Sequence, residues 1–204
     1  MEAPVRTRAT YADLVALPEI FIAELIDGAL FTATHPGNRH AATLSAISAD
    51  LGNAFARRNT TRGPGGWRML MRVELHLGHP VPTELVLVPD LAGWKRERLP
   101  VVPDAAGMEL APDWICEVLS PGTESHDRIR KMEWYGRSGV KWAWLVHPEQ
   151  RSIEVYEHDG KNWVFNLGAV GNAPARLQPF EAVEFDVSEW WALDRVGENT
   201  PQTP

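Results

Sequence analysis

Apolar residues recur along the chain in patterns that predict a mixture of helices and strands. Between residues 38 and 57 they recur at three- and four-residue spacing, which is typical of an amphipathic helix. Between residues 67 and 77 they alternate with polar residues, which predicts one half-buried strand. Residues 114–119 are apolar on both faces except at Glu117, a pattern typical of a central strand that is covered on each side.

Short elements and turn signals follow one another through the rest of the chain. Asp27-Gly28 predicts a tight turn between two strands, and Gly139 predicts the end of a helix that begins near Glu124. The remaining predicted elements are a helix at residues 10–17, strands at 22–26, 30–34 and 141–146, a strand that reaches Asp90 and continues to Trp94, and a hairpin of residues 152–157 and 162–167.

This order of elements predicts an α/β (α+β) fold, in which helices flank a mixed β-sheet and additional β-hairpins lie near the N-terminal and C-terminal ends. The sequence contains no internal repeat and no linker, so we expect residues 1–204 to form a single domain with its core at about 10–192. Residues 195–204 combine prolines and a glycine with polar residues, and we expect them to form a disordered tail.

The composition predicts a cytoplasmic protein. Apolar residues make up 44% of the chain, and no uninterrupted apolar stretch approaches the roughly 18 residues of a membrane span. The first six residues, Met-Glu-Ala-Pro-Val-Arg, lack the apolar core of a signal peptide. Cys116 is the single cysteine, which excludes an intrachain disulfide and a cysteine-based zinc site, and it fits a reducing compartment.

Net charge argues against a nucleic-acid partner, but its distribution weakens that argument. At −7 the whole protein repels a polyanion. One segment nevertheless carries five arginines and no acid: Arg57, Arg58, Arg62, Arg68 and Arg72. A second basic group, Lys95, Arg96 and Arg98, follows the strand of Asp90. Both groups could contact phosphates or could form a solvated loop face, so charge leaves the two alternatives open.

Candidate chemistry lies on Asp90, Glu117 and Lys131. Asp90 follows one apolar run and Glu117 interrupts another, where a charge is costly unless it is paired or bound to a metal. If their strands are neighbours, the two carboxylates could bind a divalent cation, and a nearby lysine would suit a phosphate. The pattern also has a simpler interpretation, in which Asp90 serves a turn and Lys131 forms an ordinary surface ion pair with Asp127.

A longer set of motifs gives the chain a family resemblance. The segment at residues 111–123, Ala-Pro-Asp-Trp-Ile-Cys-Glu-Val-Leu-Ser-Pro-Gly-Thr, is followed by Asp127, Lys131, Tyr135 and Gly139-Val140. This order and spacing resemble the "putative restriction endonuclease" family of the PD-(D/E)XK nuclease superfamily, and the resemblance covers roughly residues 10–160. Further matching motifs are Glu24-Leu25-Ile26-Asp27-Gly28, His40, Pro89-Asp90 and Trp144-Leu145-Val146-His147-Pro148.

The resemblance implies a restriction-endonuclease-like sheet and a metal-dependent endonuclease that cleaves DNA. It implies that Asp90 and Glu117 bind Mg²⁺ or Mn²⁺ and that Lys131 is the catalytic lysine. In the wider superfamily the lysine lies two residues after the second acid, where this chain has Leu119, so the lysine must lie on the next helix. The family often has Glu after the Asp-Gly turn, where this chain has Ala29. The alternatives are a non-catalytic member of the fold that binds DNA or protein, and a metal-dependent hydrolase that acts on a small phosphate ester.

Other residues have weaker claims to a role. His40 could border the metal site or contact a phosphate, or could serve only the start of its helix. Glu24 could be a third acid or could face solvent, and Tyr135 could orient Lys131 or simply pack. His76 and His79 lack an evident third zinc ligand. Tryptophan is unusually frequent, with nine residues, which suits core packing or the interface of a homodimer.

Overall fold

A computed structural model describes residues 8–34, 36–57, 63–77 and 85–191. Within these ranges the α-helices are α1 (Tyr11–Val15), α2 (Asn38–Leu51) and α3 (Met132–Arg137). The strands are β1 (Ile22–Ile26), β2 (Ala29–Ala33), β3 (Trp67–Met71), β4 (Leu75–His76), β5 (Val86–Leu87), β6 (Leu91–Lys95), β7 (Trp114–Val118), β8 (Trp142–His147), β9 (Ser152–His158) and β10 (Trp163–Val170).

The main sheet has six strands in the order β10-β9-β8-β7-β6-β3. Its one parallel pair is β7 with β8, which the helical segment 124–137 connects, and the other pairs are antiparallel. The C-terminal hairpin β9–β10 extends this sheet, as the sequence predicted. Ile115 and Cys116 are both fully buried, so β7 is covered on its two faces and is the predicted central strand.

A second sheet has four strands in the order β2-β1-β5-β4, and it contains the predicted N-terminal hairpin. The second sheet forms because two long segments of the chain bend at neighbouring positions. The segment predicted as one strand at residues 67–77 breaks at Arg72, whose backbone φ is +46°, and the strand predicted through Asp90 to Trp94 breaks at Asp90. The Arg72 N–H donates to the Asp90 carbonyl at 3.1 Å, so the two breaks face each other. Both single-strand predictions were therefore wrong.

The two faces of the main sheet pack against different layers. One core lies under α2 and the segment 177–191, and it contains Trp144, Trp190 and Trp191. The other lies under α3 and the strands β4 and β5, and it contains Ile115 and Tyr135. The C-terminal tryptophans thus hold the last described residues against the sheet. Thr43 of α2 adds a hydrogen bond to the Trp190 carbonyl at 2.7 Å.

Both long helices contain a π-helical turn. α2 continues as a π-helical turn over Gly52–Ala56, so the helix predicted to residue 57 is confirmed in extent. His126–Lys131 form a second π-helical turn that leads directly into α3, and Gly139 follows with φ +87°, as predicted for a glycine that ends a helix. Among the described residues no helix is long and apolar enough to cross a membrane. The predicted tail at 195–204 lies outside the described residues.

Candidate active site

Asp90 and Glu117 lie next to each other on one face of the main sheet. β6 and β7 are neighbouring antiparallel strands in which Leu91 pairs with Cys116, so Asp90 and Glu117 occupy the next positions along the two strands. Because side chains alternate along a strand, both point to the face opposite Leu91 and Cys116. That face is covered by α3, and there Glu117 is only 2% exposed.

The Asp90 carboxylate is held by groups from three other segments. Its Oδ2 atom accepts a hydrogen bond from the Val118 N–H at 2.9 Å and lies 2.9 Å from Nε2 of His40, near the start of α2. Its Oδ1 atom lies 3.7 Å from Nε of Arg72. His40 therefore contacts a residue that is far from it in sequence. A role only at the start of its helix, which was one of the alternatives, does not account for this contact.

Lys131 is buried among carboxylates. Its Nζ atom lies 2.9 Å from Oε1 of Glu117, 2.9 Å from Oε1 of Glu24 and 3.5 Å from Oδ1 of Asp127, and it donates to the Val88 carbonyl at 3.0 Å. Lys131 is 4% exposed and Asp127 is 5% exposed. The interpretation of these two residues as an ordinary surface ion pair is therefore wrong, because the π-helical turn directs both side chains into the protein.

Glu24 is a third acid of this cluster, although it lies on β1 of the second sheet. Its Oε1 atom accepts from the Val88 N–H at 2.8 Å in addition to its contact with Lys131. Its Oε2 atom lies 2.9 Å from Nε2 of His126. Of the two alternatives for Glu24, the solvent-facing one is wrong. His126, at the start of the π-helical turn, was not singled out from the sequence, since only its contact with Glu24 distinguishes it.

Tyr135 contacts Glu117, and its hydroxyl group donates a hydrogen bond to the Glu117 carboxylate. The distance between its hydroxyl oxygen and Oε1 of Glu117 is 2.6 Å. Lys131 contacts the same oxygen, so the residues at positions 131 and 135, one helical turn apart, hold one carboxylate between them. Tyr135 therefore orients Glu117. The alternatives considered from the sequence, orienting Lys131 or packing only, did not include this role.

Burial and charge divide the acids into two kinds. Burial raises the pKa of Glu117 well above its usual value, with Asp127, Asp90 and Glu24 adding to the effect and Lys131 opposing it. Burial would also raise the pKa of Glu24, but Lys131, His126 and the Val88 N–H outweigh it and lower that pKa. The pKa of Glu24 is thus lowered beside Lys131, whereas the pKa of Glu117 is raised.

The pKa of Lys131 is raised well above its usual value. Burial alone would lower it, but Glu117, Glu24 and Asp127 more than offset that penalty. Burial raises the pKa of Asp127 despite Lys131 and a hydrogen bond from Thr123. Lys131 is therefore a fixed positive charge in a region of low dielectric constant, where it acts strongly on any charge that develops nearby.

A cavity of about 930 Å³ opens over this cluster. Asp90, Glu117 and Lys131, the three residues that the family resemblance selects, all line it. One wall is the β1–β2 hairpin, and the facing wall is the segment from Ser120 to Lys131. Across its rim the Arg130 guanidinium lies 5.2 Å from the ring centre of Phe31.

The remaining candidates lie in simpler surroundings. Nε2 of His76 lies 2.9 Å from Glu74, and His79 lies outside the described residues. Arg68 and Arg98 bind groups of the protein itself, as does Arg96, which donates to the Ala56 carbonyl. Arg58 and Arg62 lie outside the described residues. Of the two arginine groups, Arg72 is the member that reaches the cavity among the residues described, and the sequence did not distinguish it.

The donor set fits a hard divalent cation. Within the described ranges no group of three or more His, Cys, Asp or Glu side chains is arranged as a metal site. Mg²⁺, however, commonly binds one or two carboxylates and keeps several waters. Asp90 and Glu117 are the carboxylates that would hold such a cation, and both are oriented by other groups: Lys131 and Tyr135 contact Oε1 of Glu117, and His40 and Val118 contact Oδ2 of Asp90.

Comparisons with known proteins agree with this architecture. The model of the family Uma2, described as putative restriction endonuclease, matches residues 9–188. A putative nuclease of a domain family of unknown function from Anabaena variabilis ATCC 29413 has a similar crystal structure, with a TM-score of 0.68 and 19% sequence identity over 89% of this chain and 97% of that one. A search of curated proteins found no significant match.

The fold and the matched family define the class of the protein. It has a restriction-endonuclease-like fold, as the similar structure shows. The chain belongs to the Uma2 family, which is described as putative restriction endonuclease, because the family model matches most of its length. The family resemblance and the fold class predicted from the sequence are thereby confirmed.

Proposed function

We propose that the protein is an endonuclease that hydrolyses DNA phosphodiester bonds with the help of Mg²⁺ or Mn²⁺. One observation carries this proposal. Asp90, Glu117 and Lys131 come from three separate segments of the chain, yet they line one cavity, and Nζ of Lys131 lies 2.9 Å from Oε1 of Glu117. Membership of a family that is described as putative restriction endonuclease supports DNA as the substrate.

Asp90 and Glu117 would hold the cation in this proposal. When bound there, a divalent cation lowers the pKa of a coordinated water and polarises a phosphate oxygen. His40 and the Val118 N–H fix the orientation of the Asp90 carboxylate, and Tyr135 fixes that of Glu117. Such supporting contacts matter because ligand orientation strongly affects metal affinity.

Lys131 would supply a fixed positive charge at the site of reaction. Glu24 and the Val88 carbonyl hold its ammonium group in place, so little rearrangement is needed when negative charge develops on the phosphate. Asp127, one helical turn before it, adds a weaker contact at 3.5 Å. In this proposal the catalytic lysine lies on the helix that follows the strand of Glu117, as the family resemblance implies.

Nicking of supercoiled plasmid tests this function. The wild type should nick with Mg²⁺ or Mn²⁺ and not with EDTA, whereas Asp90→Asn and Glu117→Gln should lose nicking. Asp104→Asn, an exposed acid outside the cavity, is the matched control and should cleave normally. DNA binding without nicking by the wild type would instead support a non-catalytic member of the fold. Hydrolysis of a chromogenic phosphodiester but not of DNA would indicate a small-molecule phosphodiesterase.

We also propose that the active form is a homodimer, because a two-fold dimer presents two sites to the two strands of a duplex. Light scattering coupled to gel filtration measures this directly. A monomer that produces double-strand breaks in single binding events would contradict it.

A further inference from the structure

The hydrogen-bonding capacity of Lys131 is already used by the protein. An ammonium group has three N–H donors, and three acceptors surround Nζ at hydrogen-bonding distance: Glu117 and Glu24 at 2.9 Å and the Val88 carbonyl at 3.0 Å. Lys131 can therefore act on a phosphate through its charge, but it cannot donate to one without losing a buried partner. A phosphate in the cavity needs another donor.

Arg72 offers such a donor. Its Nε atom is buried and has no hydrogen-bond partner among the residues that the structure describes. It lies 3.7 Å from Oδ1 of Asp90, beyond hydrogen-bonding distance, and the side chain lines the same cavity as Glu117 and Lys131. A buried N–H donor without a partner is costly, and a ligand in the cavity would remove that cost.

The backbone at Arg72 is itself unusual. Its φ of +46° lies in the left-handed region, which a residue with a Cβ atom seldom adopts. The position is the kink where the chain leaves the main sheet for the second sheet, directly opposite Asp90. Strained backbone of this kind persists where surrounding structure enforces it, and it is frequent at functional sites. The strain here directs an arginine towards the acids.

The other arginines nearby differ from Arg72: one binds carbonyl groups outside the cavity, and one contacts an aromatic ring at the rim of the cavity. Arg68, on β3, donates to the Leu99 carbonyl at 3.4 Å and to the Pro100 carbonyl at 2.5 Å. Arg130 lies over the ring of Phe31 at the rim of the cavity. Of the described arginines that line the cavity, Arg72 is thus the one with a buried donor that has no hydrogen-bond partner.

We propose that Arg72 binds the phosphate of the DNA strand that occupies this cavity, next to the bond to be cleaved. The planar guanidinium can donate two parallel hydrogen bonds to phosphate oxygens, which an ammonium cannot. The assignment of DNA rests on the proposed function, but the contact between Arg72 and a phosphate can be tested without catalysis.

Duplex DNA binding in EDTA provides that test, with the salt dependence of Kd as its readout. Loss of one phosphate contact lowers the slope of log Kd against log salt concentration by about 0.9 for B-DNA. Arg72→Ala should show this decrease, and so should Arg72→Gly, which accepts the backbone angle without strain. Arg68→Ala removes the same charge from β3, the strand that ends directly before Arg72, at a position outside the cavity, and its slope should equal that of the wild type.

Plasmid nicking with Mn²⁺ supplies the second readout. Arg72→Ala should lose on the order of 10²–10³ in single-turnover rate, Arg72→Lys should recover only part of it, and added guanidinium should restore some cleavage to Arg72→Ala. If Arg72→Ala shows the same salt slope and the same nicking rate as Arg68→Ala, the inference is overturned and the proposed function remains intact. If the wild type binds DNA but never cleaves it, the proposed function fails, and the salt slope alone decides the role of Arg72. Absence of wild-type DNA binding would overturn both.

Discussion

Nζ of Lys131 lies 2.9 Å from Oε1 of Glu24, although the two residues belong to opposite walls of the cavity. Glu24 comes from the hairpin of the second sheet, and Lys131 comes from the helix that connects the two parallel strands of the main sheet. Both side chains are buried. This contact therefore joins the two sheets of the protein at the site of the proposed chemistry, and it links catalysis to stability.

Replacement of Lys131 should cost both activity and stability. Lys131→Met keeps most of the apolar stem but leaves Glu24, Glu117 and Asp127 without their common cation. Removing one partner of a buried ion pair destabilises a protein by about 3–5 kcal/mol, and we expect a loss of that size at neutral pH in chemical denaturation. Plasmid nicking should fall by on the order of 10²–10³.

The pH dependence of this loss has a definite sign. The lowered pKa of Glu24 contributes stability above its unfolded value of 4.5, and this contribution is lost as the pH falls through the folded value. The deficit of Lys131→Met should therefore be largest at neutral pH and should shrink near pH 4. Lys131→Met combined with Glu24→Gln removes one uncompensated acid, so it should regain stability but not activity. If Lys131→Met is as stable as the wild type at neutral pH, the buried contacts of Lys131 are contradicted.

Replacement of Glu117 should have the opposite effect on stability. The raised pKa of Glu117 means that the folded state favours the protonated form, so its contribution is complete below the unfolded value of 4.5 and is lost as the pH rises through the folded value. Glu117→Gln does not titrate. In EDTA its melting temperature, relative to that of the wild type, should rise as the pH increases above 4.5, while nicking is abolished.

Glu133→Gln is the control for this experiment. Glu133 is exposed on α3, where it pairs with Arg137 at 3.3 Å, so its replacement should leave both activity and pH dependence unchanged. If Glu117→Gln melts at the same temperature as the wild type at every pH, Glu117 does not carry the raised pKa that its burial implies.

The sequence predicted β7, β8, β9 and β10 of the main sheet well because each of these strands has a local signature. Residues 114–119 are apolar on both faces, and the structure places β7 at the centre of the sheet. The second sheet could not be predicted in this way. The alternation of residues 67–77 continues through Arg72 without interruption, and only the pairing with the segment of Asp90 reveals that both strands bend there. Strand pairing is a long-range property, so periodicity alone does not report it.

The site, like the fold, was predictable only in part from the sequence. Asp90, Glu117 and Lys131 were selected by a family resemblance, and the structure brings them to one cavity. Their surroundings were not predictable, because the contact of His40 with Asp90 and that of Glu24 with Lys131 join distant segments. The burial of Lys131 was also missed, since spacing of four residues from Asp127 describes an exposed helix equally well.

The contact between His40 and Asp90 predicts an effect on metal affinity. Nε2 of His40 lies 2.9 Å from Oδ2 of Asp90, so His40→Ala should free that carboxylate to rotate. Loss of a group that orients a metal ligand typically costs 10–100-fold in affinity or activity. We expect Mn²⁺ affinity, measured by titration calorimetry, to fall by that factor. Arg39→Ala changes the exposed neighbouring residue and should bind Mn²⁺ as the wild type does; equal affinities for both variants would contradict the prediction.

Arg72→Gly should lose activity without losing stability, unlike Lys131→Met, which should lose both. Its φ of +46° costs an ordinary residue about 1 kcal/mol that glycine does not incur, so the variant should be as stable as the wild type or more stable by up to that amount. Arg151, in the turn before β9, has a similar φ of +50° and lies outside the cavity. Arg151→Gly is therefore a matched control: it should gain stability and keep its nicking activity, whereas Arg72→Gly should lose activity without losing stability. A marked destabilisation of Arg72→Gly, measured by chemical denaturation, would instead assign the Arg72 side chain a structural role.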